Sequence, residues 1–203
     1  MRRQGFTLVE LAIVLVIIGI IMGAVLKGQE LIFNAKVKRL QNQIKEMQAA
    51  FYSYYDRYGY YPGDDPTASS RWSGASDGDG DGLVEGGYCS ASNEESCILW
   101  SHLRYANIIS GDPTDTTPSS MVPHHIFGGQ LDMFTGTYTV GGQTRSGLWI
   151  TLRHLEAQAA EALDRAIDDG KCTTGSMARY AGDNCGTNGT YPSSGYLDVW
   201  INF

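Results

Sequence analysis

The sequence predicts an α+β fold, in which a long membrane-spanning N-terminal helix packs on a small antiparallel β-sheet head. Three observations lead to this expectation. Apolar residues recur at helical spacing up to Tyr58, and no proline precedes that residue. All 6 prolines and 21 of the 25 glycines lie beyond Tyr58, which places the turns there. Short apolar segments with strand-like alternation follow towards the C-terminus.

The first part of the helix is apolar enough to span a membrane. Residues 6–26 contain one ionisable side chain, that of Glu10, and as a helix they would extend about 31 Å. Arg2 and Arg3 precede them, which predicts a cytoplasmic N-terminus and a head outside the cytoplasm. A cleaved secretory signal is disfavoured because no small-residue cleavage site follows. An ordinary signal anchor leaves Glu10 unexplained, since a carboxylate in a spanning helix is costly unless it is paired.

A motif at the N-terminus resembles that of a known family. Residues 5–10 read GFTLVE, after a short basic leader and before the apolar run. This pattern is similar to the prepilin motif of type IV pilins and type II secretion pseudopilins. The resemblance implies that a prepilin peptidase removes residues 1–5 by cleaving after Gly5 and methylates the new amino terminus of Phe6. It also implies that Glu10 neutralises the Phe6 amine of a neighbouring subunit, which would supply its partner.

The helix is expected to continue as an amphipathic segment over residues 27–58. Its apolar positions alternate in steps of four and three residues: Phe33, Val37, Leu40, Ile44, Met47, Phe51, Tyr54 and Tyr58. Gly59 then stands where a C-terminal cap is expected. The spacing suits a coiled coil with another chain, but docking on the head is more economical, because the head lacks another helix long enough to cover a sheet.

Residues 59–203 are predicted to form a globular head of short elements. The patterns indicate helices at 97–106 and 154–167, and strands near 138–140 and at 148–152, 177–180 and 196–203. Residues 62–95 and most of 110–147 are expected to be loop. In the last strand, Leu197, Val199 and Ile201 alternate with Asp198, Trp200 and Asn202. The pilin-like topology of the sheet is implied only by the resemblance.

The charge of the head argues against nucleic acid as a ligand. Residues 59–203 contain 7 basic and 18 acidic residues, a net charge of −11, which phosphate groups would repel. Zinc-protease, nucleophile-elbow and phosphate-loop motifs do not occur in the sequence, so we predict that the protein is not an enzyme. His124 and His125 are interpreted as a surface pair.

The four cysteines, all beyond the membrane segment, predict two disulfides in an exported head. Three connectivities are possible, and we favour the local one because it closes short loops in irregular sequence: Cys89 with Cys97, and Cys172 with Cys185. A zinc site is the alternative, but the intervals between the cysteines are not those of a C-x-x-C pair.

Residues 77–85 read DGDGDGLVE and resemble the first half of a calcium loop. The candidate ligands are Asp77, Asp79, Asp81, the carbonyl oxygen of Leu83, and Glu85. Tyr88 stands where a true EF-hand has its bidentate glutamate, so the segment is closer to short Asp-rich calcium loops. A solvated acidic turn is the alternative. We expect Ca²⁺, because the carboxylates repel one another without a cation.

These features predict a structural subunit, a minor pilin or a pseudopilin, of a type IV pilus or type II secretion filament. Its resemblance implies residence in the bacterial inner membrane, in contact with lipid, followed by assembly with other subunits through an inner-membrane platform. The final location would be the pilus or pseudopilus. An adhesin-like tip module that recognises a surface or a secretion substrate is the alternative. An anchored exported enzyme is disfavoured by the lack of an active-site motif.

Overall fold

The computed structural model describes residues 7–179 and 185–203, and it confirms the α+β architecture. The leader and the predicted cleavage site at Gly5 and Phe6 lie outside these residues. The helices are α1 (Leu8–Tyr58), α2 (Ala68–Arg71), α3 (Glu95–Tyr105), α4 (Pro118–Met121) and α5 (Ala157–Ile167), with a short 3₁₀ turn at Thr187–Gly189. The strands are β1 (Leu131–Val140), β2 (Gln143–Glu156), β3 (Met177–Arg179) and β4 (Tyr196–Asn202).

Helix α1 runs without interruption over 51 residues, a length of about 77 Å. Thr7 caps its N-terminus, and Gly59 ends it with a φ of 77° while donating its N–H to the Tyr55 carbonyl over 2.8 Å. A left-handed conformation at this position is inexpensive only for glycine. The predicted C-terminal cap is therefore confirmed.

The amphipathic half of α1 docks on the head, as the more economical interpretation predicted. Five of the predicted apolar positions are fully buried and three are partly buried against the same core. Helix α1 contacts α3 and α5, and side chains from these helices and from one face of the sheet form a single cluster. The stripe is therefore satisfied within the chain and does not require a coiled-coil partner.

The sheet has the order β1-β2-β4-β3, and every neighbouring pair is antiparallel. The expectation of loop was wrong for residues 131–137 and 143–147, because β1 and β2 form a long hairpin joined by Gly141 and Gly142. Its outer part is rich in glycine, threonine and serine, which hid the strands. Exposed hydroxyl pairs contact each other across it, with Thr139 and Thr144 separated by 2.7 Å.

Strand β2 also extends into the predicted helix at 154–167, which begins only at Ala157. Glu156 still pairs with Tyr196 of β4, and the register shifts between Leu152 and Leu155. His154 lies in this bulge with a φ of 56°, and its N–H donates to the Asp198 carboxylate over 2.8 Å. At this bulge, the Asp198 side chain replaces the strand-to-strand hydrogen bond that the shifted register removes. Hydrophobic periodicity in the sequence does not predict such a bulge.

The second face of the sheet is buried by aromatic residues rather than by a helix. Phe134, Trp149 and Trp200 are buried there, and Tyr88 and Tyr138 pack on them. Trp200 stands on the side of β4 opposite to Leu197, Val199 and Ile201, yet it is 4% exposed. Its indole N–H donates to the Tyr88 hydroxyl over 2.8 Å. Both faces of the sheet are therefore covered.

The structure contains the two local disulfides, Cys89–Cys97 and Cys172–Cys185. The first ties the loop before α3 to the first turns of that helix. The second ties the start of the segment before β3 to the segment before β4. Both close short loops in parts of the head with little regular structure.

Truncating a buried residue of the stripe should destabilise the head. Leu40 is 0% exposed and Leu31 is 60% exposed on the same helix. Leu40→Ala should lower the free energy of unfolding by about 2–5 kcal/mol, because it leaves a cavity in the core. Leu31→Ala should change it by no more than about 0.5 kcal/mol. Guanidinium titration of the full chain in detergent, followed by tryptophan fluorescence, compares the two. Equal effects of the two substitutions would contradict the docked arrangement.

Candidate functional site

The loop at residues 77–85 folds tightly against the turn at residues 62–66 and the start of α3. The Gly78 N–H donates to the Asp65 carbonyl over 3.0 Å. A Cβ atom on Gly78 would lie 2.2 Å from the Gly63 carbonyl oxygen, and one on Gly63 would lie 2.5 Å from the carbonyl oxygen of Glu95. Three backbone segments are therefore in contact at a distance that only glycine allows.

Three of the predicted metal ligands come together in this loop. Ligand atoms of Asp79, Asp81 and Glu85 all lie within 4.8 Å of one another. The Leu83 N–H donates to the Asp81 carboxylate over 2.8 Å, whereas the role of the Leu83 carbonyl oxygen stays a prediction.

Asp77 is directed elsewhere. Its carboxylate accepts hydrogen bonds from the Ser69 hydroxyl over 2.6 Å and from the Ser69 N–H over 2.7 Å. These bonds hold the pKa of the Asp77 carboxyl below its usual range. In the structure, Asp77 thus fixes the loop against α2 and is not among the grouped carboxylates, and its role as a metal ligand stays a prediction.

Two carboxylates that the sequence analysis missed complete the cluster. Ligand atoms of Asp64, Asp79 and Glu95 form a second group within 4.8 Å. The Asp64 carboxylate accepts the Gly82 N–H over 3.2 Å. Glu95 accepts the N–H groups of Asp79 over 3.0 Å and of Glu85 over 3.2 Å. Neither acid belongs to the DGDGDG run, and only the high density of acids across residues 64–95 could have drawn attention to them.

The electrostatics of the cluster are unfavourable without a cation. Burial raises the pKa of Asp64 and of Glu95, and neighbouring carboxylates raise both further. Within residues 7–179 and 185–203, no lysine or arginine forms an ion pair with any of the five acids. The donors are all oxygens, which suits a hard cation such as Ca²⁺ better than zinc.

A buried polar network holds the neighbouring turn in place. Asp65 is fully buried and accepts hydrogen bonds from the Tyr54 hydroxyl over 2.7 Å, from the Arg71 guanidinium, and from the N–H and hydroxyl of Thr67. His102 accepts the Gly63 N–H at Nδ1 over 3.0 Å and contacts the Ser76 carbonyl through Nε2 over 2.7 Å, so Nε2 carries the proton. This network connects the carboxylate cluster to α1 and α3.

The interpretation of His124 and His125 as a surface pair was half wrong. His124 is exposed, whereas His125 is 3% exposed, and its Nε2 lies 3.0 Å from the Arg153 carbonyl oxygen. The chain turns back at this point through an isolated bridge between His124 and Gln130, which buries the second ring.

Another acidic group, Asp164, Asp168 and Asp169, has ligand atoms within 4.8 Å of one another. Its oxygens already accept hydrogen bonds: Asp164 from the Tyr191 hydroxyl over 2.7 Å, and Asp168 from the Met177 N–H over 2.8 Å. These bonds stabilise the connection between α5 and β3, and we assign the group no ligand.

The apolar side chains in the first half of α1 are exposed to solvent. An 18-residue window within this helix has a mean hydropathy of 2.9, and none of it is buried. By length and composition, this part of the helix can cross a membrane. Its exposed apolar side chains contrast with the buried stripe that begins at Val37.

Glu10 has a partner within its own chain. Its Oε2 accepts hydrogen bonds from the Thr7 N–H over 2.7 Å and from the Thr7 hydroxyl over 2.8 Å, while Thr7 Oγ1 accepts the Glu10 N–H over 3.3 Å. This capping box forms because the first N–H groups of a helix have no carbonyl partners. The Glu10 carboxylate is therefore hydrogen-bonded within its own chain, and its pairing with the Phe6 amine of a neighbouring subunit stays a prediction.

The profile of the prokaryotic N-terminal methylation motif matches residues 1–26. The chain carries the signature of type IV pilins and pseudopilins. The match covers the basic leader, Glu10 and the exposed apolar part of α1 up to Leu26. A search of curated proteins returned no significant match, so the interpretation of the head rests on its structure.

The pilin signature and the head therefore contribute different information. The signature spans Gly5, Phe6 and Glu10 but does not extend to residues 27–203. The carboxylate cluster lies entirely in the head and is visible only once the turn at 62–66 and the loop at 77–85 are folded together.

Acid should destabilise the turn through His102. Burial lowers the pKa of His102 to about 4, whereas an unfolded histidine titrates near 6.5. The unfolded chain then takes up a proton that the folded chain excludes, so stability is fully present above pH 6.5 and is lost as the pH falls towards 4, by up to about 3 kcal/mol. Urea titrations of the full chain in detergent at pH 7 and pH 4.5 measure this loss.

The loss should be smaller in His102→Gln than in the wild type, and His124→Gln serves as the exposed control. Comparing variants at the same two pH values cancels the contributions of other titrating groups. An identical loss in the wild type and in His102→Gln would show that the ring takes up its proton in the folded state.

Proposed function

We propose that this protein is a structural subunit, a minor pilin or pseudopilin, of a type IV pilus or type II secretion filament. The observation that carries the proposal is helix α1, in which an exposed apolar half continues without a break into a half that docks on the head. The methylation motif at residues 1–26 supports it, because that motif marks the proteins processed for such filaments.

Processing comes first in the proposed sequence of events. A prepilin peptidase cleaves after Gly5 and methylates the amino group of Phe6. Residues 6–26 then hold the protein in the bacterial inner membrane, and the positive charges of Arg2 and Arg3 favour a head outside the cytoplasm.

Assembly moves the exposed apolar surface of α1 from lipid to other subunits. Lipid tails are as apolar as these side chains, so the transfer is driven by side-chain packing and by polar pairing rather than by exclusion of water. The inner-membrane assembly platform brings the subunits together. The acidic heads remain outside the filament core.

Glu10 is proposed to select the correct neighbour during this transfer. Both hydrogen bonds from Thr7 end on Oε2, and no described residue donates to Oε1. The capping box thus holds the carboxylate in one orientation with an oxygen available for the Phe6 amine of another subunit. In the apolar core, such a charge pair is strong because little water competes for it.

We also propose that the head binds Ca²⁺ at the loop 77–85, as in the short Asp-rich calcium loops. The convergence of Asp79, Asp81 and Glu85 supports this proposal. The bound cation would offset part of the negative charge of the head. That charge also argues against nucleic acid as a ligand of the subunit, because phosphate groups would be repelled.

The assembly role of Glu10 can be separated from its capping role. Glu10→Val removes both the charge and the capping box, whereas Glu10→Gln removes the charge but can still cap, because glutamine serves at this position of the box. Both variants should be inserted and cleaved normally but enter filaments several-fold less than the wild type. Immunoblots of sheared filaments and of membranes measure incorporation and cleavage.

Glu30→Gln is the matched control, because Glu30 pairs with Lys27 on an exposed part of the same helix. It should enter filaments like the wild type. Normal incorporation of Glu10→Gln would refute the charge-pairing role, and normal incorporation of both variants would leave Glu10 with no part in assembly.

A further inference from the structure

We infer that the Ca²⁺ of the head is bound by Asp64, Asp79 and Glu95, which belong to three different chain segments, and that the ion cross-links those segments. Asp81 and Glu85 then lie on the outer, exposed side of the site. This inference rests on the proposed binding of Ca²⁺ and changes its site. The linear loop beginning at Asp77 is replaced by a site that the fold assembles from residues 31 positions apart in the sequence.

The buried carboxylate of Asp64 is the first observation. Asp64 is 1% exposed, and its Oδ1 has no hydrogen-bond partner. Its Oδ2 accepts the Gly82 N–H, which fixes the direction of the carboxylate. A buried oxygen without a donor is costly and rare in folded proteins. Because Asp79 and Glu95 are the acids beside it, a cation satisfies this oxygen where another carboxylate cannot.

The spacing of the ligand atoms is the second observation. Those of Asp64, Asp79 and Glu95 lie within 4.8 Å of one another. Two oxygens that bind one Ca²⁺ at its usual distances of about 2.3–2.6 Å are separated by about 5 Å at most. The three acids therefore need little rearrangement to share one ion.

The backbone orients these ligands in advance. Oε1 of Glu95 accepts the N–H of Asp79, and Oε2 accepts that of Glu85. Each carboxylate oxygen has a second lone pair that remains available for a metal. The glycine contacts at Gly63 and Gly78 keep the three backbones at their closest approach. Such a site loses little conformational entropy when the ion binds.

The position of the site gives the cation a structural role. Asp64 lies shortly after α1 ends, Asp79 lies in the DGDGDG run, and Glu95 is the first residue of α3. Residues 72–94 between α2 and α3 form no helix or strand, so no regular hydrogen-bond pattern of their own holds them in place. One ion at this point joins the turn after α1, the loop at residues 77–85 and the start of α3. It stabilises the folded head by mass action.

Calorimetric titration of Ca²⁺ into the chelator-treated full chain in detergent measures binding at the site. A second measurement compares the melting temperature of the protein with and without about 1 mM Ca²⁺, a concentration in the range that extracellular calcium modules bind. Asp64→Asn preserves the acceptor for Gly82 but removes the charge, and it should weaken Ca²⁺ binding at least about tenfold. Glu95→Gln should do the same and serves as the second variant where Asp64→Asn fails to fold.

Asp77→Asn is the matched control, since Asp77 belongs to the same acidic run but contacts Ser69. It should bind Ca²⁺ within about twofold of the wild type, and its melting temperature should rise on Ca²⁺ addition as that of the wild type does.

Two outcomes overturn the inference and are distinguishable. Tight binding by Asp64→Asn and Glu95→Gln, with loss in Asp77→Asn, would return the ion to the linear loop and leave the proposed Ca²⁺ binding intact. No binding and no change in melting of the wild type would refute Ca²⁺ binding altogether. Neither outcome bears on the filament role, which the Glu10 variants test.

Discussion

The burial of one stripe of α1 beneath the head is the interaction on which the rest of the structure depends. Leu40, Phe51 and Tyr54 are essentially inaccessible to solvent, and burial of a leucine or phenylalanine side chain contributes about 1.5–3 kcal/mol. The stripe fixes how α1 is rotated about its axis relative to the sheet. It also brings the Tyr54 hydroxyl to Asp65, and through that contact it positions the turn that contains Asp64.

Because the stripe and the apolar segment belong to one helix, the head is attached to its anchor without a linker. No proline interrupts α1, and Gly19, Gly23 and Gly28 lie within the helix without ending it. Packing of the stripe therefore determines the position of the head relative to the exposed apolar part of α1. The irregular region after α1 depends on other contacts: close glycine approaches, the buried His102, the Cys89–Cys97 disulfide and the inferred cation.

The sequence was sufficient where local patterns determine structure. The period of α1, its cap at Gly59, the N-terminal motif and the paired cysteines are all encoded within short stretches. It was insufficient where distant segments meet. Asp64 and Glu95 join the carboxylate cluster only through the tertiary fold, and Asp77 leaves it for Ser69. Only short parts of the β1–β2 hairpin were predicted, because its exposed threonines and glycines lack an apolar alternation, and β2 extends past His154 only because of a bulge.

Helix α1 continues without a break from its exposed apolar half into the half that docks on the head, and a distance across it tests this continuity. Spin labels can be attached to cysteines at Ile20 and Lys45, both exposed on α1, in the full chain with its disulfides intact in lipid bilayers. Pulsed electron paramagnetic resonance should give one narrow distribution of distances between the two labels, centred at about 38 Å, the length of 25 helical residues. A broad distribution, or one centred well below that value, would show that the helix breaks between the membrane segment and the head.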